Sequence, residues 1–130
     1  MKTIIKISIL LCFLILSCHK TDSEYMNSNQ WNMTRVEGIN TGVINQTISL
    51  TVFYPTSSGC DIFDKFDLKY AKNNIVSIRA FGHTENSELC TQQAIEKSTT
   101  FEFTPASKGV FELRFTNKNN AYFTYNLIIN

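Results

Sequence analysis

Apolar and polar residues alternate with period two through most of the chain after residue 30. Ile48, Leu50, Val52 and Tyr54 alternate with Thr47, Ser49, Thr51 and Phe53. Phe66, Leu68 and Tyr70 alternate with Asp67 and Lys69, and Val76, Ile78 and Ala80 with Ser77 and Arg79. Phe101 and Phe103 flank Glu102. Phe111, Leu113 and Phe115 alternate with Glu112 and Arg114, and Phe123, Tyr125, Leu127 and Ile129 with Thr124, Asn126 and Ile128. Side chains on a strand point alternately to its two faces, so each run predicts a strand with one face buried. Trp31 and Met33 open a weaker first strand that ends near Glu37.

Turn-forming residues separate these runs. Gly38–Gly42 lies between the first two strands, Pro55–Gly59 ends the second, and Lys72–Asn74 reads as a tight hairpin. Pro105–Gly109 and Asn117–Asn120 close the later hairpins, the second through asparagines that tolerate positive φ. One stretch is compatible with a helix, Ser87–Lys97, with Ser87 as a cap. Its apolar positions Leu89, Cys90, Ala94 and Ile95 give barely three turns. It is expected as a loop, with room for one helical turn, leading into an extended segment. About seven strands spaced near ten residues apart predict an all-β fold, an antiparallel two-sheet immunoglobulin-like sandwich over 30–130.

The start of the chain has a different pattern. Lys2 and Lys6 precede an apolar run, Ile7–Leu16, broken only by Ser8. A membrane-spanning helix needs about 20 apolar residues, whereas a run of this length suits the core of a signal peptide. It ends Ile15-Leu16-Ser17-Cys18, which resembles a bacterial lipobox. That resemblance implies a signal peptide over 1–17 and lipidation of Cys18 as the mature N-terminus. Several acyl chains at roughly 0.8 kcal/mol per buried CH₂ make a firm anchor. Residues 18–29 are polar and read as a tether. His19 stands where the enterobacterial inner-membrane retention signal has Asp, so the expected location is the outer membrane, periplasmic or cell-surface facing.

Composition adds exclusions. The chain has 130 residues, 43% apolar and 18% charged, with a net charge of +1. Without the leader's Lys2 and Lys6, ten basic residues face 11 acidic ones. No basic surface for nucleic acid is expected. Of the four cysteines, Cys12 lies in the leader and Cys18 takes the lipid. Cys60 and Cys90 remain, and in an oxidising compartment they read as a disulfide. Closing a loop of about 30 residues would stabilise by roughly 3–4 kcal/mol on the chain-entropy model. A zinc site needs three or four ligands, and only His83 lies near the pair, so no metal is expected.

Two spaced patterns carry a further resemblance. The first is Gly59-Cys60-x-x-Phe63-x-x-Phe66, Asn74-Ile-Val-x-Ile78 and Cys90-Thr91-Gln92. The second is Phe101-x-Phe103-x-Pro105-x-x-x-Gly109-x-Phe-x-Leu-x-Phe115. Together they resemble a group of small Bacteroidota lipoproteins with one paired-cysteine β-sandwich, over about 58–130. The resemblance brings no activity and no catalytic residues.

No catalytic or cofactor motif is present in the sequence: G-x-S-x-G, H-E-x-x-H, a P-loop and G-x-G-x-x-G are all absent. A Ser-His-Asp site would have to combine His83 with Ser57 or Ser58 and Asp61; a solvated loop histidine is the favoured reading. Asp61, Asp64 and Asp67 could supply oxygens to Ca²⁺, but a spacing of three alternates faces on a strand. They are expected as a turn and a solvated face. Trp31, Tyr54, Phe63, Tyr122 and Tyr125 could form a platform for sugar or peptide, with core packing favoured for each. The expected function is a non-catalytic binding or accessory domain on a lipid anchor, with an envelope protein or glycan as partner. The alternative is a chagasin-like protease inhibitor using Pro55–Gly59, Phe81–Leu89 and Phe115–Ala121, although the Asn-Pro-x-Thr-Gly and Arg-Pro-x-Trp motifs of those inhibitors are missing. Cys60–Cys90 is expected to rigidify one end of the sandwich, with Tyr54, His83, Glu85 and Glu88 as its contacts.

Overall fold

The computed structural model describes residues 28–86 and 88–130; the leader, Cys18, most of the tether and Ser87 lie outside the described residues. The alternating runs become strands: β4 (Ile48–Thr56), β5 (Asp61–Tyr70), β6 (Ile75–Thr84), β7 (Ile95–Phe103), β8 (Gly109–Thr116) and β9 (Tyr122–Ile129). Three short strands precede them, β1 (Asn29–Trp31), β2 (Arg35–Gly38) and β3 (Thr41–Gly42). There is no helix among the described residues, and 88–97 holds loop and the start of β7.

The strands form the two-sheet, all-β sandwich that the alternation predicts. One sheet is β2-β4-β7; the other runs β5-β6-β8-β9-β3 and curls into a half-barrel. β1 and β8 share one edge of β6: β8 pairs with Ile75–Ile78, and β1 with Ala80–Gly82. Two ladders, β6 with β8 and β3 with β9, are parallel, which corrects the all-antiparallel expectation. The cause is chain direction. β7 crosses to the other sheet, so β8 returns beside β6 after two reversals and points the same way. The strand count is nine rather than about seven because the weak first strand splits as it crosses between sheets, and because Thr41–Gly42 within the expected turn adds to β9.

Inward positions match the alternation. Leu50, Val52, Val76, Ile78, Phe101, Leu113, Phe115 and Leu127 are at most 2% exposed. β5 starts five residues before its regular run because a bulge at Phe63/Lys65 resets its phase. An extra residue in one strand lets both Phe63 and Phe66, three apart, pack against the core. Seven rings then form one chain through the molecule: Trp31, Tyr54, Phe63, Phe66, Phe101, Phe115 and Phe123, with successive centroids 4.7–6.2 Å apart. Such pairs add about 0.5–1.5 kcal/mol each beyond area burial. The half-buried Trp31 is thereby fixed to the centre of the core.

Candidate functional site

One end of the sandwich gathers the end of β4, the start of β5, the end of β6 and the start of β7. Cys60 and Cys90 are bonded there, with Cα atoms 5.4 Å apart, as the cysteine count predicts. The bond joins the β4–β5 turn to the β6–β7 loop. Backbone bonds support it: Gly59 N–H donates to Thr91 O (2.9 Å) and Glu85 N–H to Cys60 O (3.1 Å). Lys97 on β7 adds a strap, its Nζ donating to Gly59 O (3.0 Å) and Asp61 O (2.8 Å).

Asp61 is the centre of this end. It is 6% exposed. Its Oδ2 accepts from Ser57 N–H (2.6 Å), Ser58 N–H (3.1 Å) and Ser57 Oγ (3.1 Å), and its Oδ1 from Thr84 Oγ1 (2.5 Å). Burial alone would raise its pKa, but the bonds from Thr84, Ser57 and Ser58 outweigh burial and hold the carboxyl below its ordinary value. Asp61 therefore stays ionised and clamps the turn. Tyr54 lies close by, and burial together with the Asp61 charge raises its hydroxyl above the usual range.

Two clefts of about 260 Å³ each open around this clamp and share Ser57 and Thr84. The first is walled by Trp31 and Pro55, with Asn29, Asn32, Asp61 and Lys118 around it. The second runs toward the disulfide, past Glu85, Asn86, Cys90 and Gln92. Asn32 Oδ1 accepts the Lys118 N–H (3.1 Å) and Asn117 Oδ1 the Met33 N–H (2.8 Å), so the β1–β2 crossing and the β8–β9 turn are held together. The lining is amide, hydroxyl and charge, with one indole.

The predicted contact residues separate on this frame. Tyr54 is not a surface contact: it is 4% exposed and sits between Trp31 and Phe63, because its alternation phase on β4 points it inward. His83 faces away from the clefts, on the side of β6 opposite Thr84, and its Nδ1 lies 2.7 Å from Asp64 Oδ1. Ser28 Oγ donates to the other oxygen of Asp64. Glu85 lines the second cleft, and Glu88 is exposed farther along the same loop. Ser57 and Ser58 address Asp61 while His83 addresses Asp64, so the weighed Ser-His-Asp combination is not assembled.

The three aspartates also stay apart. Asp61 clamps the turn, Asp64 lies between Ser28 and His83, and Asp67 pairs with Arg79 at 2.9 Å. Among the described residues no group of three or more His, Cys, Asp or Glu side chains gathers as a metal site. Of the aromatic candidates, Trp31, Phe63 and Tyr125 are half-buried against the core, and Tyr122 is 53% exposed beside Arg114. Asn29 and Asn32 are the site residues that the sequence reading missed, while Thr84 and Lys118 fell within loops it weighed only for a protease inhibitor. The visible signals were the Asn-rich turn at 117–120 and the Ser-Ser-Gly-Cys-Asp run, in which two serine N–H groups precede a carboxylate suited to accept them. No protein-family model, curated protein or solved structure matches the chain.

Proposed function

We propose that this chain is a lipid-anchored protein of the bacterial outer envelope whose β-sandwich binds a ligand, without catalysing a reaction, at its disulfide end. The observation that carries the reading is the pair of polar clefts around Asp61, walled by loops that a disulfide, a buried carboxylate and a lysine strap hold in place. Loops ordered in advance lose less free energy when a ligand binds. The functional residues are Asn29, Trp31, Asn32, Ser57, Thr84, Glu85 and Lys118, and Asp61 positions Ser57 and Thr84 among them.

The path of the chain supports an anchored geometry. Asn29, which opens β1, itself lines the first cleft. Ten peptide units separate Cys18 from Ser28, and an extended chain covers at most about 3.6 Å per residue, so the reach is about 36 Å. An anchor at Cys18 thus keeps the clefts close to the bilayer surface. Fatty-acid labelling of growing cells tests the anchor: the protein takes up label and a Cys18→Ser variant does not. Label persisting in that variant overturns the anchoring half of the reading.

A further inference from the structure

The cleft beside Trp31 has a donor and acceptor layout that selects a chemical class of ligand. Ser57 Oγ and Thr84 Oγ1 both spend their hydrogens on Asp61. Toward the cleft they present lone pairs only. On the other side stand donors. Lys118 has no ion-pair partner among the described residues, and Asn32, whose Oδ1 is taken by the Lys118 N–H, has its Nδ2 hydrogens left to donate. The indole of Trp31 adds a small apolar edge to this mostly polar lining and packs between Tyr54 (centroids 5.2 Å apart) and the bare backbone of Gly82.

An occupant must therefore donate on one side, accept on the other and offer carbon to the indole. We propose that this cleft binds a saccharide, one sugar ring at a time. Ring hydroxyls donate and accept at once, and the C–H face of a pyranose packs on an aromatic wall. The volume of about 260 Å³ lies just under the range of drug-sized pockets, which fits a single ring. A phosphate would meet the buried Asp61 charge, and an acyl chain would find only Trp31 and Pro55 to cover it. The inference rests on the proposal that the disulfide end is the binding surface, and names its ligand class.

The chain contains one tryptophan, so indole emission comes from a residue that lines this cleft. The test titrates the full-length protein, in detergent, with galactose and N-acetylglucosamine, and separately with vesicles with and without a neutral glycolipid. A saturable change of Trp31 emission in either arm supports the inference, and the arm that responds identifies a free or a membrane-borne sugar. Lys118→Ala and Ser57→Ala each remove one hydrogen-bonding group and weaken the response about tenfold. Lys118 is exposed, so that variant keeps its fold. No response in either arm, while acrylamide still quenches Trp31, overturns the saccharide assignment. If the disulfide end nevertheless captures another partner in cells, the proposed function survives and only the ligand class falls.

Discussion

Thr84 Oγ1 donates to Asp61 Oδ1 at 2.5 Å, joining the last residue of β6 to the first of β5, its ladder partner. That bond closes the circle of donors around a carboxylate that is almost wholly out of water. Asp61→Asn keeps the shape but removes the charge that the Ser57, Ser58 and Thr84 donors address. Hydrogen bonds to a buried charge contribute about 1.5–3 kcal/mol, and the variant is expected to lose about 2 kcal/mol in urea denaturation at pH 7. The pH dependence has a definite sign. The folded carboxyl titrates below its unfolded value of about 3.9, so its stabilisation is complete above that pH and is lost as pH falls through the folded pKa. The gap between wild type and variant should narrow on acidification below about pH 4. A gap independent of pH would show that the charge contributes nothing.

The Cys60–Cys90 bond closes a separation of 30 residues. The Cys60→Ala/Cys90→Ala double variant is expected to lose roughly 3–4 kcal/mol, with less where the denatured state is itself compact. Thiol titration and the urea midpoint check this together. Free thiols in envelope-derived protein, or an unchanged midpoint, would contradict it.

Gly82 is required by a close approach. A β-carbon there would fall 2.4 Å from Cη2 and Cζ2 of Trp31 and 2.5 Å from the Ile62 carbonyl oxygen. The backbone oxygen cannot swing aside as a side-chain tip can. Gly82→Ala is expected to cost about 1–3 kcal/mol through overpacking. It should also shift Trp31 emission to the red as the indole is displaced toward water. A variant with wild-type stability and emission would mean that Trp31 does not lie on Gly82.

Much of the sandwich was legible because one buried face imposes strict alternation on β4, β6, β8 and β9. Where that periodicity fails there is a physical cause. The bulge before Lys65 breaks the phase of β5, so Asp61–Lys65 reads as loop. Gly82 is an inward position that looks like a breaker. Apart from the exposed Ile95, the first residues of β7 are polar because only Phe101 and Phe103, at its far end, enter the core. β1 and β3, of three and two residues, are too short to show any period. The clefts were less visible. Their walls come from 29–32, 55–61, 84–86, 90–92 and 118, which only the passage of the chain from β1 to β2 and the disulfide bring together. The disulfide pointed to the right end of the molecule but not to the side chains. Tyr54 was expected as a surface contact although its alternation with Ile48, Leu50 and Val52 already put it on the inward face, whereas His83 lay past Ala80, where the expected strand ended.

The central claim is that the disulfide end meets the ligand, and photo-crosslinking in cells tests it most directly. A photoreactive residue at Lys118, beside the first cleft, is compared with one at Lys108, exposed in the turn at the opposite end of the sandwich. The account predicts an envelope adduct from position 118 and none from 108. It also predicts that the adduct diminishes in the Cys60→Ala/Cys90→Ala background, where the cleft walls are no longer tied. Adducts from position 108 alone, or equally from both ends, would contradict it.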